Sequence, residues 1–329
     1  MSALAPTLEA FFTERLINQR QCSPNTVAAY RDAWRLVLGF ASTRMNKEPS
    51  ALDVGDLDAP LISEFLQHLE TERHNSVRTR NARLAAIKSL FRFAALRHPE
   101  HAAVIARVLA IPTKRFDRAE VNYLTHDEAD AMVTSPDRQR WVGRRDHALL
   151  VLALQTGLRV SELAGLRNCD VELRAGAHVR CWGKGRKQRS IPLRASTVGV
   201  LRTWMKERGG EDDAPLFPTY RGTPLTRDAV AALVDKHARA AAANLHSLQA
   251  KTVTPHVLRH SCAMALLQAG VDRSVIALWL GHESVESTQI YVHADMSIKQ
   301  KALARTRPLN VRAGRYRAPD RLMAFLQAL

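Results

Sequence analysis

Apolar residues return every three to four positions through the first third of the chain, and that period fits helices. Leu8, Phe11, Phe12 and Leu16 hold it, as do Leu61, Phe65, Leu66 and Leu69 after an Asp-rich turn that includes Asp58 and Pro60. Such a stripe closes on one face of an α-helix. Ser23-Pro24-Asn25-Thr26 supplies a start signal, with Pro where its missing N–H costs nothing, and the pattern runs from Thr26 to about Phe40. A further helix over about Ser76 to Leu96 turns Leu84, Ile87, Leu90, Phe91 and Ala94 towards a core. One clear β signal interrupts the helices that follow. His178 to Trp182 and Ser190 to Leu193 flank the polar run Gly183-Lys184-Gly185-Arg186-Lys187-Gln188-Arg189, which reads as a hairpin with a basic tip. The expected fold is mainly α, with a small β-sheet or hairpin in its second part.

At 329 residues the chain exceeds a usual single domain, so two are expected. Regularity weakens from His98 to Asn122, where Pro112-Thr113-Lys114-Arg115 carries a turn signal and local positive charge. The expected division is a helical domain over 1–110, a linker over 111–122, a second domain over 123–300 and a tail over 301–329. Thr125-His126-Asp127-Glu128 looks like a capping box opening the second domain. Internal repeats and low-complexity tracts are absent from the sequence, apart from the alanine cluster at Ala240–Ala243.

Charge narrows the partner. Lys and Arg number 48 against 32 Asp and Glu, a formal net charge of +16, and such an excess favours a polyanion because each neutralised phosphate releases condensed counterions. An anionic membrane surface is the rival, but neither a basic amphipathic anchor nor a lipidation motif is present. The longest apolar run, Ala148 to Leu154, is far too short to cross a bilayer, and the first residues lack the order of a signal peptide. A cytoplasmic protein is expected. Cys22, Cys169, Cys181 and Cys262 are scattered without C-x-x-C or zinc-like spacing, which points to reduced thiols and no metal. The helix over 76–96 carries Arg78, Arg80, Arg83, Lys88, Arg92 and Arg97 on its other positions, with no acidic residue among them. Solvated faces usually mix signs, so this one is expected to contact phosphates of double-stranded DNA.

Breaking a DNA strand without metal or water needs a nucleophile in line with phosphorus. It also needs cations on the non-bridging oxygens and an acid for the departing sugar oxygen. Arginine suits the clamp because its planar fork binds two phosphate oxygens and stays charged. Thr156-Gly157-Leu158-Arg159-Val160-Ser161-Glu162-Leu163 puts Arg159 just after a glycine turn, where a helix restarts. In Thr254-Pro255-His256-Val257-Leu258-Arg259-His260, Thr254 can cap, Pro255 fits the first helical position, and His256 and Arg259 share a face near a helix N-terminus that favours phosphate. Leu278-Trp279-Leu280-Gly281-His282 would end a helix at Gly281, and Tyr291 follows nine residues after His282. The chain has five tyrosines, Tyr30, Tyr123, Tyr220, Tyr291 and Tyr316, and none taken singly declares itself a nucleophile.

The ordered combination of Arg159, the Lys184 hairpin, H-x-L-R-H-S, L-G-H and Tyr291 resembles the tyrosine recombinase family, which includes phage integrases, Xer resolvases and transposon-borne integrases. The resemblance spans about 120–295, and the helical first domain matches the family's core-binding domain in kind. It implies two domains clamping a duplex and a site-specific recombinase that needs neither metal, ATP nor cofactor. By the same resemblance Arg159 and Arg259 would clamp the scissile phosphate, His256 would move a proton near the nucleophile, and His282 would hydrogen-bond a non-bridging oxygen. Lys184 would protonate the departing 5′ oxygen, and Tyr291 would attack phosphorus to give a 3′-phosphotyrosyl link. Glu162 would orient the arginine or histidine cluster. Arg186 and Lys187 at the hairpin tip would contact DNA, and Lys187 is an alternative to Lys184 because hairpin register is not fixed by sequence. Tyr316 is the rival nucleophile. A homo-tetramer on DNA, with or without a partner recombinase, is implied by the family alone.

After Pro319-Asp320, Leu322, Phe325, Leu326 and Leu329 mark an amphipathic helix, expected to dock on a neighbouring protomer or on its own domain. Two other readings remain at this point: a type IB topoisomerase that relaxes DNA without site choice, and a non-catalytic DNA-binding regulator of the same fold.

Overall fold

Side-chain caps start most of the long helices where the sequence places Ser, Thr or Asp ahead of an apolar stripe. The computed structural model describes residues 4–116, 121–183 and 188–281. The chain divides into two units, Met1–Ala119 and Glu120–Leu329.

In the first unit α1 (Leu4–Ala10) runs into a π-helical stretch, Phe11–Gln19. The wider turns are closed by bonds such as Arg20 N–H to Arg15 O at 3.0 Å, and Phe11 and Leu16 still reach the core. α2 (Pro24–Met45) starts at Ser23, whose hydroxyl accepts the Thr26 N–H. It continues past Phe40 and stops at Asn46 in the left-handed region, φ 52°. Asp58 caps α3 (Ala59–Thr71) and Ser76 caps α4 (Val77–Ala94), and α5 (Ala102–Ala110) closes the unit. Leu84, Ile87, Leu90, Phe91 and Ala94 of α4 are all buried, packed in one cluster with Trp34, Phe65 and Leu66. Each such leucine, isoleucine or phenylalanine contributes roughly 1.5–3 kcal/mol on leaving water. Part of the stretch expected as linker is fastened to this unit. The Lys114 N–H donates to Asn81 Oδ1 at 3.1 Å, the Asn81 amide donates to Lys114 O at 2.8 Å, and Lys114 Nζ reaches Glu70 at 2.5 Å.

The second unit opens with α6 (His126–Thr134), and its capping box is complete: Thr125 Oγ1 accepts the Glu128 N–H while Glu128 accepts the Thr125 N–H at 2.8 Å. α7 (Trp141–Thr156) and α8 (Val160–Ala164) precede a three-stranded antiparallel sheet. Its order is β1 (Val171–Glu172), β2 (His178–Trp182), β3 (Gln188–Pro192), with Val179 opposite Ile191. Strand β2 lies as expected, β3 begins two residues before Ser190, and β1 is too short for any alternation to announce it. α9 (Ala195–Arg208), α10 (Arg227–Ala242), α11 (Pro255–Gln268) and α12 (Arg273–Leu280) complete the described elements. Leu149, Leu152, Val179, Ile191, Trp204 and Val234 share one apolar core. The molecule is therefore mainly α with a small sheet. No helix among the described residues is long and apolar enough to cross a membrane.

Candidate active site

Two helix ends meet in the second unit, and both expose the carbonyls that a helix C-terminus leaves without internal partners. α7 ends at Gly157 (φ 62°) and α12 at Gly281 (φ 65°), both left-handed. A Cβ on Gly157 would fall 2.6 Å from Leu280 Cδ2, so only glycine lets the two ends close together. From the α7 end, Gln155 O accepts Cys262 Sγ at 3.2 Å, Thr156 O accepts the Trp279 indole N–H at 3.1 Å, and Gly157 O accepts Arg259 Nη1 at 2.7 Å.

Among the described residues, the last carbonyls of α12 accept arginine guanidiniums. Trp279 O accepts Arg189 Nε at 3.1 Å, Leu280 O accepts Arg259 Nη2 at 2.6 Å, and Gly281 O accepts Arg159 Nη2 at 2.8 Å. Three consecutive carbonyls thus take three different guanidiniums, which suits the negative end of a helix dipole. Glu162 ties two of the arginines together. Its Oε1 lies 3.0 Å from Arg159 Nη1 and 2.9 Å from Arg189 Nη1, and its Oε2 accepts the Arg159 main-chain N–H at 2.8 Å. Burial pushes the Glu162 carboxyl up, but the hydrogen bonds from Arg189 and the Arg159 N–H, with the charges of both arginines, outweigh it and hold it below its ordinary value.

Local sequence explains the placement. Thr254 caps α11 by accepting the Val257 N–H, Pro255 takes the first turn, and Arg259 lies one turn on, buried at 3% exposure. His256 is exposed, and its ring stands edge-on to that of His260 with centroids 4.2 Å apart. Cys262, Met264, Leu267, Ile276 and Leu280 pack α11 against α12 and carry Arg259 to the α12 terminus.

The structure therefore brings Arg159, Glu162 and Arg259 to one place, with His256 on the first turn of the helix that carries Arg259. Lys184, Arg186, Lys187, His282 and Tyr291 lie outside the described residues, as do Tyr316 and the helix expected after Pro319. The basic face of α4 is mixed. Arg78 and Arg92 are exposed, and Arg83 and Lys88 half-buried. Burial first, and neighbouring arginine charges second, hold both Arg83 and Lys88 below their ordinary values. Arg80 departs from the expectation of a phosphate-facing side chain. It is 6% exposed, and Nη1 donates to Pro112 O at 3.2 Å and Asn81 Oδ1 at 3.0 Å, because the strap after α5 passes over it.

Sequence reasoning overlooked Arg189. In sequence it reads as one more charge of the hairpin tip, yet it stands two residues before buried Ile191 and so shares the inward face of β3. An arginine on the core side of a strand was the available signal.

Comparison with known proteins places these residues in a family. The phage integrase family pattern matches residues 122–297, and the phage integrase N-terminal SAM-like domain matches 10–98. The chain is 53% identical over 328 residues to the integrase/recombinase y4rC of Sinorhizobium fredii, covering 100% of this chain and 99% of that one. It is 36% identical over 286 residues to the tyrosine recombinase XerC of Pelobacter propionicus, covering 87% and 90% of the two chains. In fold it is similar to the Tn1549 transposon integrase, with a TM-score of 0.68 over 90% of this chain and 98% of that one at 17% identity.

Proposed function

The chain belongs to the phage integrase family of tyrosine recombinases, and on that premise we propose that it cuts and rejoins DNA strands at chosen sites through a 3′-phosphotyrosyl intermediate on Tyr291. The observation that carries this reading is the convergence of Arg159, at the N-cap of α8, and Arg259, from α11, on the end of α12. The next residue in the chain is His282, and Tyr291 follows. Two fixed cations side by side at the start of that segment suit a phosphate that gains charge as it becomes pentavalent.

In this scheme the Tyr291 oxygen forms a bond to phosphorus as the bond to the 5′ oxygen breaks. Lys184 gives that oxygen its proton, and His256 receives the phenol proton directly or through its neighbours. Arg159 and Arg259 hold the non-bridging oxygens, with His282 as a third donor. The phosphotyrosyl link keeps the energy of the broken phosphodiester, so a 5′-hydroxyl from a second duplex reseals it without ATP or metal. Exposed Arg78 and Arg92 on α4, with half-buried Arg83 and Lys88, support binding of the flanking duplex. The solved Tn1549 integrase is in complex with a circular intermediate DNA, which favours the same partner class here. A tetramer on DNA and action in the cytoplasm complete the proposal.

The test is covalent trapping in EDTA on nicked duplexes drawn from DNA flanking the gene. Wild type should give a protein–DNA adduct that survives SDS, and Tyr291→Phe should give none. An adduct formed equally by Tyr291→Phe excludes this nucleophile. Relaxation of supercoiled DNA without any recombination site would mark a topoisomerase instead.

A further inference from the structure

Arg189 lies outside the residue set that the proposed chemistry uses, yet all three of its guanidinium nitrogens are engaged within the site. Nη1 and Nη2 meet the two oxygens of Glu162 at 2.9 and 2.7 Å, and Nε donates to Trp279 O at 3.1 Å. The side chain is 12% exposed and its partner carboxylate 4%. A Cβ on Gly281 would fall 2.8 Å from Arg189 Nη1, so the α12 terminus closes directly on this guanidinium.

We infer that Arg189 is a positioning residue for strand cleavage, orienting Arg159 through Glu162 and fixing the α12 terminus through the Trp279 carbonyl. The inference rests on the recombinase reading for its chemistry and on the geometry alone for its mechanics.

Glu162 has one carboxylate to set both the main chain and the guanidinium of Arg159, at 2.8 and 3.0 Å. Those two bonds join Glu162 only to Arg159, so on their own they let the pair move together. The two-pronged grip of Arg189 fixes its plane, and with it the direction in which Arg159 points. The third bond ties the same guanidinium to α12, whose end also carries Arg259 on Leu280 O and Arg159 on Gly281 O. Consecutive Cα atoms lie about 3.8 Å apart, so the α12 end sets where the His282 segment begins. Stability is a weak reason to keep this pair, since replacing a buried ion pair by apolar residues is often neutral or better. Lysine is a poor substitute, because one ammonium point charge does not span a carboxylate fork and a carbonyl together.

The experiment compares full-length wild type, Arg189→Ala and Arg189→Lys in two ways. Single-turnover adduct formation at saturating protein should fall about 100-fold in Arg189→Ala and about 10-fold in Arg189→Lys, with DNA affinity changed less than about 2-fold. A rate that falls only in step with DNA affinity or with the folded fraction makes Arg189 a structural residue and overturns the inference. Independently of DNA, the protein is labelled with 5-fluorotryptophan and the Trp279 fluorine resonance assigned from Trp279→Phe. That resonance should shift in Arg189→Ala and return part of the way in Arg189→Lys, while those of Trp34, Trp141 and Trp204 stay. If wild type forms no adduct, the recombinase reading fails, and the fluorine spectrum alone judges the mechanics. An unmoved Trp279 resonance in Arg189→Ala then refutes them.

Discussion

Arg189 and Glu162 meet as a two-bond ion pair, Nη1 to Oε1 at 2.9 Å and Nη2 to Oε2 at 2.7 Å, in a pocket where the carboxylate is 4% exposed. Truncating Glu162 to Ala strands two guanidiniums without their counter-ion, a change that costs about 3–5 kcal/mol when a buried pair loses one member. Glu162→Gln keeps the shape and part of the bonding, so it should cost clearly less. Thermal unfolding followed by hydrogen exchange on α8 and β3 checks the order. Equal loss in the two variants would mean that the charge of Glu162 is its whole contribution and that its shape and remaining hydrogen bonds add nothing.

The same carboxylate sets a dependence on acid. Glu162 is pushed up by burial but held down more strongly by Arg189 and Arg159, and Glu128 is likewise raised by burial and lowered further by Lys251 and the Thr125 N–H. A folded value below the unfolded one means that the unfolded chain binds more protons. The stabilisation is therefore complete above the unfolded value of about 4.3 and is lost as pH falls through the folded value. The Tm of wild type should drop more steeply below that pH than the Tm of Glu162→Gln. Parallel curves would contradict the depressed value.

How much of this was legible in the sequence varies with the distance over which each feature is decided. The Thr125–Glu128 capping box, the Ser76 start of α4 and the span of β2 depend on neighbours within a few residues, and they stand where the sequence places them. Arg159, Glu162 and Arg259 were singled out by motif, but their shared target was not, because the α12 carbonyls approach them only in the folded unit. Arg189 was hidden for the same reason, with Trp279 some 90 positions away in the chain. Arg80 illustrates the opposite error. Charge pattern put it on a DNA face, whereas the strap carrying Pro112 covers it. The π-helical turns at Phe11–Gln19 share the apolar spacing of an α-helix closely enough that the stripe does not separate the two.

The α4 face yields a salt-dependence test. Each phosphate contact removed lowers the slope of log affinity against log salt by about 0.9 on duplex DNA. Arg78→Ala and Arg92→Ala should each show such a drop on a random-sequence duplex, since both side chains are exposed. Arg80→Ala should leave the slope nearly unchanged and instead destabilise the first unit by about 1 kcal/mol, through the lost hydrogen bonds to Pro112 O and Asn81 Oδ1. A slope change in Arg80→Ala equal to that of Arg78→Ala would place Arg80 on DNA.

The cysteines divide by burial. Burial pushes the Cys181 thiol up to about 11 and the Cys262 thiol up to about 12, and Cys262 also donates to Gln155 O. Thiolate is the reactive form, so both should resist iodoacetamide at pH 8 in the folded protein while exposed Cys169 is alkylated first. Peptide mass spectrometry reads the order. Early modification of Cys262 would show that the α7–α11 junction opens.

The most direct measurement identifies the atom that holds the DNA. The adduct trapped on nicked flanking duplexes in EDTA is digested with nuclease and trypsin, and the residual nucleotide is located by mass. The nucleotide is expected on the peptide spanning 274–299, at Tyr291, and absent from Tyr291→Phe. A nucleotide found instead at Tyr316, or an adduct that persists in Tyr291→Phe, would contradict this.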